Sequence, residues 1–161
     1  MRMREPPDAN EPERADAASR SPGAPSYRLE EQVGFVLRRA HQRATDTFNT
    51  VMAGFKITPR QFAVMAKLDD LGPTSQNLLG RLVAMDPATM FGVAGRLAKR
   101  GLIKQAVDPH DARLVLLELT AEGRQVVQAM KARGLEVSRR TLEPLSAKEA
   151  ETFMRLLVKM V

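Results

Sequence analysis

The residues whose types and spacing could do chemistry fall into a few groups, and the chemistry is recognition rather than bond-making. Arg113 ends the turn-rich stretch Asp108-Pro109-His110-Asp111-Ala112-Arg113, which lies between two β-prone segments. A guanidinium there could enter a DNA minor groove, where narrow A·T tracts concentrate negative potential. An ordinary edge-strand charge is the plainer alternative. Asp111 suits fixing that tip or orienting an arginine, because phosphate would repel its carboxylate. Pro87, Ala88, Thr89, Phe91, Gly92 and Arg96 lie along one short helical segment. Ala88 could touch a thymine methyl, and Thr89 a base or a phosphate. Arg96 fits either a contact to DNA or an ion pair with the neighbouring hairpin. Met90 shares its spacing with Val93, Ala94 and Leu97, which favours core over groove. Thr74, Ser75 and Gln76 open another helix, where free N–H groups and short polar side chains suit phosphate as well as capping. Arg60, Lys99 and Lys104 are further cations for backbone neutralisation. Arg38 and His41, three residues apart and near Phe48, Phe62 and Met65 in the expected fold, could hold the carboxylate of an aromatic acid. A solvated helix face is the alternative.

Catalysis finds no such grouping. His41 and His110 are the only histidines, cysteine is absent, and the glycines form no phosphate-cradling loop. Histidines in such unlike contexts are a poor basis for a metal site, and no thiolate chemistry or disulfide framework is open to the chain. No enzyme activity and no cofactor are expected.

The elements that must position these residues can be read from caps and periodicity. Asp86 suits an N-cap before Pro87, and Met90, Val93, Ala94, Leu97 and Ala98 give one buried helical face. Lys99 and Arg100 sit where cations favour the helix dipole, and Gly101 suits the residue just past the end. Segments 102–107 and 113–119 read as strands of a hairpin. Before them, Thr58-Pro59 opens a helix that 69–73 ends; Thr74 or Ser75 caps the next, and Ala84-Met85-Asp86 is the turn between helices. A helix-turn-helix followed by a basic-tipped hairpin is a winged helix-turn-helix, a shape that reads double-stranded DNA.

At these residues the chain resembles the MarR family of transcription regulators. The resemblance rests on Asp86-Pro87-Ala88-Thr89, on Arg96-Leu97-Ala98-Lys99-Arg100-Gly101-Leu102, on Asp111-Ala112-Arg113 and on Leu119-Thr120-Ala121-Glu122-Gly123. It covers roughly Tyr27 to the C-terminus. It implies a mainly α fold with a small β-hairpin wing, in the order helix, helix, short strand, helix, helix, two hairpin strands, helix, helix, assembled as a dimer. It also implies a small-molecule effector, an aromatic acid or its coenzyme A thioester, bound between the first helix, the next and the dimer helices. The family often has a small hydroxyl residue and a basic residue where this chain has Phe91 and Gly92.

The flanks complete the reading. Residues 1–26 hold five prolines and nearly balanced charge, with almost no large apolar side chain, and are expected to be a disordered tail. Span 27–161 is the MarR-like domain, with 58–120 the winged helix-turn-helix and 27–57 and 121–161 the dimerisation helices. A long helix over 29–54 carries Val33, Val36, Leu37, Ala40, Ala44, Phe48, Val51 and Met52, beside a second, half-buried row of Gly34, Arg38, His41 and Thr45. Thr120 caps another long helix, in which Gly134 makes a bend plausible. Ser146 to Glu149 is a capping box for the last. The net charge of +6 suits a polyanionic partner. No apolar run is long enough for a membrane span, and no signal peptide precedes the domain, so a cytoplasmic protein is expected. The function expected is a ligand-responsive regulator, a repressor, binding a pseudopalindromic operator as a homodimer. An architectural DNA-binding protein without an effector is the alternative, kept open by the few hydrogen-bonding side chains on the recognition helix.

Overall fold

The computed structural model of the chain describes residues 26–108 and 114–161. The tail expected before Ser26 lies outside the described residues, as do Pro109, His110, Asp111, Ala112 and Arg113. Among the described residues the order is α1 (Val33–Val51), α2 (Pro59–Leu71), β1 (Thr74–Ser75), α3 (Gln76–Leu82), α4 (Pro87–Lys99), β2 (Ile103–Val107), β3 (Val115–Leu119), α5 (Ala121–Thr141) and α6 (Ala147–Val158). The strands form one antiparallel sheet in the order β1-β3-β2, with Thr74 opposite Leu117 and Ile103 opposite Leu119. This is the mainly helical winged helix-turn-helix expected from the sequence.

Local chemistry explains the boundaries. Thr58 and Gln61 exchange hydrogen bonds in a full capping box at the start of α2, which satisfies the buried Gln61 amide. Ser75 caps α3, and Ser146 with Glu149 caps α6. The first helix is shorter than the expected span. Leu29–Glu31 form a single 3-10 turn, Gln32 is extended, and Ala53–Phe55 form a second 3-10 turn that ends at left-handed Lys56. Of the second row on α1, only Thr45 is half-buried; Gly34, Arg38 and His41 are exposed in the single chain. Helix α5 runs unbroken past Gly134. One glycine lowers helix propensity by about 1 kcal/mol, which the burial of Val127 and Met130 on the same helix outweighs.

The junction between α4, the hairpin and α5 is the most constrained part of the fold. Gly101 ends α4 with φ +69°, where a side chain would be strained. The Leu102 N–H donates to the Leu97 carbonyl at 3.1 Å, and the Leu102 carbonyl accepts from Thr120 N at 3.1 Å. Leu102 is thus spent outside the hairpin, and β2 starts one residue later than expected. Thr120 donates its hydroxyl to the Gly101 carbonyl at 2.7 Å and accepts from Gly123 N at 3.0 Å, so it both caps α5 and ties it to the end of α4. Gly123 is buried against this junction, and a Cβ there would stand only 1.9 Å from the Leu102 carbonyl oxygen. Around it lies a single core in which Met65, Leu79, Met90, Leu97, Leu117 and Met130 are fully buried.

A second tie joins α2 to α5. Lys131 Nζ lies 2.5 Å from Asp69 and 2.6 Å from Asp70, and Gln128 donates to Asp69 at 2.8 Å. The Lys131 ammonium, bonded to Asp69, is the main cause holding that carboxyl below its ordinary value.

Two predictions follow from these contacts. Gly123→Ala should destabilise the protein by about 3 kcal/mol or more, read as a lower urea midpoint, because backbone must move to admit the methyl. A midpoint within error of wild type would refute the close approach. The second concerns acid. A depressed folded pKa contributes stability above the ordinary carboxylate value of about 4, and that contribution disappears as pH falls through the folded value. The stability gap between wild type and Lys131→Met should therefore be widest above about pH 5 and narrow in acid. A gap that stays constant down to pH ~3 would show that the pair does not act through Asp69 ionisation.

Candidate nucleic-acid interface

Helix α4 is built to present one face. Asp86 accepts from Thr89 N at 2.8 Å and from the Thr89 hydroxyl at 2.6 Å, with Pro87 at the first helical position. The Thr89 hydroxyl is the main cause that lowers the Asp86 carboxyl below its ordinary value. Met90, Val93, Ala94 and Leu97 are buried, which fixes Met90 as core rather than groove. The opposite face leaves Pro87, Ala88, Phe91, Gly95 and Arg96 exposed, with Gly92 half-buried. Phe91 is 70% exposed, far more than core packing would leave an aromatic ring. Arg96 makes no hydrogen bond or ion pair with any described residue, and its guanidinium lies back over Gly92.

The helix before it and the hairpin after it flank this face. Ser75 spends its hydroxyl on the Leu78 N–H at 3.4 Å, and Gln76 is half-buried at the start of α3. Thr74 is a correction to the expected phosphate contacts. It is 6% exposed, paired in β1, and donates its hydroxyl to the Gly72 carbonyl at 2.9 Å, so it has nothing left to offer a phosphate. On the hairpin, Lys104 faces Glu118 across the strands at 2.9 Å, and Arg124 stands 3.7 Å from the same carboxylate. The Lys104 hydrogen bond is the chief cause that lowers the Glu118 carboxyl. Lys104 is thus already paired, whereas Arg60 and Lys99 remain exposed. The two strands end at Val107 and begin again at Val115, and Asp108 N donates to the Leu114 carbonyl at 3.0 Å beyond them.

The residues expected to hold an effector are not gathered in one place. His41 lines an apolar cavity of about 640 Å³ between α1, α5 and α6, with Leu37, Ala44, Val137, Phe153 and Leu157. Arg38 is not among the residues that line this cavity; it is exposed, with its guanidinium 5.2 Å from the Phe35 ring centre. Phe48 and Phe62 pack on each other at 5.8 Å between ring centres, Phe48 buried and Phe62 half-buried. Met65 is wholly buried in the core and cannot line a pocket as the chain stands.

A protein-family model described as the MarR family matches residues 57–115. The HTH-type transcriptional repressor NicR of Pseudomonas putida is 37% identical over 135 residues, covering 84% of this chain and 85% of that relative. The chain belongs to the MarR family. Among solved structures, a probable transcriptional regulator from Pseudomonas aeruginosa has 44% identity and a TM-score of 0.79, over 83% of this chain and 100% of its own. BpsR of Bordetella bronchiseptica, whose DNA binding is regulated by 6-hydroxynicotinic acid, has 37% identity and a TM-score of 0.79, over 84% of this chain and 97% of its own.

Like these relatives, this MarR-family chain is a winged-helix transcription regulator. No helix among the described residues is long and apolar enough to cross a membrane. Residues that position the MarR-family module were invisible to sequence reasoning. Arg100 donates to the carbonyls of Lys56 and Phe55, clamping the turn after α1 to the end of α4. Arg43 donates to the Thr141 and Arg140 carbonyls and so caps the end of α5 from α1. These partners lie 44 to 98 residues away, and no local pattern signals them.

Proposed function

We propose that the chain is a homodimeric repressor that reads a pseudopalindromic operator and is released by a small aromatic carboxylic acid. Each subunit would lay residues 87–100 in a major groove and its wing in the flanking minor groove, with half-sites about one helical turn apart. The reading is carried by α4, a helix anchored on one face by four buried residues while the other stays open beside the hairpin. Thr89, Ala88, Phe91, Gly92 and Arg96 would meet base edges or backbone; Ser75, Gln76 and Pro87 would lie along the phosphates; Arg113 would enter the minor groove. Dimerisation is supported by apolar surface that one subunit leaves bare. Val33 and Val36 on α1, and Met154, Leu156 and Val158 on α6, are all at least 44% exposed.

Repression is supported by the NicR likeness, and an aromatic-acid effector by BpsR, whose regulator is 6-hydroxynicotinic acid. Arg38 and His41 would pair with the carboxylate, with Phe48, Phe62 and Met65 near the ring after rearrangement between the two dimer shapes. A coenzyme A thioester of such an acid is the larger alternative ligand. The effector would act by binding one dimer shape better than the other. A second reading, an architectural DNA-binding protein without effector, is favoured by the Ala88, Gly92 and Gly95 side of α4, which offers few hydrogen-bonding groups.

Fluorescence anisotropy on a duplex selected from a random pool, against a scrambled competitor, tests the reading. Sequence-selective binding by a dimer is expected, and equal affinity for both duplexes would instead favour the architectural role. Arg113→Ala should weaken operator binding by about 1–3 kcal/mol with the dimer intact. The loss should vary with A·T content beneath the wing. Unchanged affinity on every duplex would remove the wing from DNA. For the effector, 6-hydroxynicotinate should release the wild-type complex, while Arg38→Ala and His41→Ala should each raise the concentration needed by on the order of tenfold. Release of the variants at wild-type concentration would move the carboxylate site elsewhere.

A further inference from the structure

We propose that Arg96 and Phe91 together set the operator sequence, Arg96 by reading a guanine and Phe91 by packing on a thymine methyl, and that Gly92 seats the arginine. The inference rests on the DNA-reading role of α4 proposed above and says which bases that role selects.

The argument begins with what the exposed face can donate. Pro87, Ala88, Gly92 and Gly95 have no side-chain hydrogen-bonding group. The Thr89 hydroxyl gives its proton to Asp86 at 2.6 Å. Lys99 lies in the last turn, at the far end from the helix start that normally meets base edges. That leaves Arg96, which also starts from the last turn but carries its guanidinium back over Gly92, as the donor-bearing side chain that reaches the middle of the face. A side chain on a helix leans toward the N-terminus, and Arg96 does so fully. A Cβ built on Gly92 would stand 3.4 Å from one guanidinium nitrogen of Arg96 and 3.8 Å from the other. The guanidinium therefore lies over Gly92, one turn back, with room beneath it for no more than a methyl in ordinary contact. Any longer side chain at Gly92 would occupy its place.

An arginine held this way presents a planar fork with free donors, since no described residue pairs with it. Guanine displays two acceptors, O6 and N7, on the major-groove edge at the spacing of that fork. A phosphate could also take an arginine, but a phosphate contact is indifferent to the base's N7, whereas a guanine contact depends on it. Phe91 supplies the second letter. It is 70% exposed and can neither donate nor accept a hydrogen bond. Among base edges in the major groove, the thymine 5-methyl is the apolar group it can reward. Phe91 and Gly92 are neighbours in the chain that point about 100° apart around the helix, so the ring and the guanidinium over Gly92 stand at one level of the helix and should address base pairs close to each other.

The test uses the full-length dimer and duplexes enriched from a random pool. The enriched half-site should hold a guanine and a thymine close together. Wild-type protein should lose on the order of tenfold in affinity when that guanine becomes 7-deazaguanine, which lacks N7, and several-fold when that thymine becomes deoxyuridine, which lacks the methyl. Arg96→Ala should bind the enriched duplex at least tenfold more weakly and respond no further to 7-deazaguanine. Phe91→Ala should lose its response to deoxyuridine and keep its response to 7-deazaguanine. Gly92→Met, with Arg96 intact, should lose the 7-deazaguanine response, because the methionine fills the seat. Thermal melts confirm that each variant is folded. Arg96→Ala retaining the wild-type response to 7-deazaguanine would overturn the guanine contact. Gly92→Met retaining it would overturn the seating role. If no sequence is enriched at all, the operator-reading role fails first and this inference with it. Enrichment of a sequence whose bases none of these variants discriminate would overturn the inference alone.

Discussion

The carbonyl of Leu102, pressed against the first turn of α5, is the contact on which the rest of the module depends. It lies where the end of α4, the start of β2 and the end of β3 meet the long helix. Gly101 supplies the reversed backbone, Thr120 bonds to both Gly101 and Leu102, and Gly123 leaves space for the oxygen. An unpaired buried carbonyl would cost about 1–3 kcal/mol, so the N–H of Thr120 is essential to closing the chain here. With this junction made, the angle between α4 and the hairpin has little freedom. The helix and the wing can then meet one duplex as a single rigid piece.

Much of this was legible in the sequence because it is written in short-range chemistry. Asp86-Pro87 announces the start of α4, and the 90-93-94-97 spacing announces its buried face, since both depend on neighbours within a turn or two. The Leu-Thr-x-x-Gly string could be recognised as a motif, but its reason became visible only when the Leu102 oxygen was found beside Gly123. Periodicity alone extended α1 too far, because it cannot register an extended Gln32 inside an otherwise helical pattern. It also cannot tell a threonine that faces solvent from one that completes a sheet edge, as Thr74 does. Arg38, His41, Phe48, Phe62 and Met65 stand on two helices, and neither their spacing nor the family resemblance says which of their faces meet. Packing then drew Met65 into the core and left Arg38 outside the cavity that His41 lines.

Helix α5 links the two ends of the molecule. Near its start it carries the junction with the hairpin, in its middle Lys131 holds α2 through Asp69 and Asp70, and at its end Arg43 from α1 caps it. Helix α5 thus joins α1, α2 and the junction with the hairpin through one unbroken run of backbone.

The pairing of so many cations inside the fold has a further consequence, for the response to ionic strength. The chain has 25 lysines and arginines. Yet Lys104 already has Glu118 as its counter-ion, Lys131 has two aspartates, and Arg139 and Arg140 share Glu136. A cation neutralised within the protein displaces few condensed ions from a duplex when it approaches, so the slope of log K against log salt counts free cations rather than total charge. The affinity of this protein for DNA should thus be a gentler function of salt than its composition suggests. A larger share of it should come from contacts that salt does not screen.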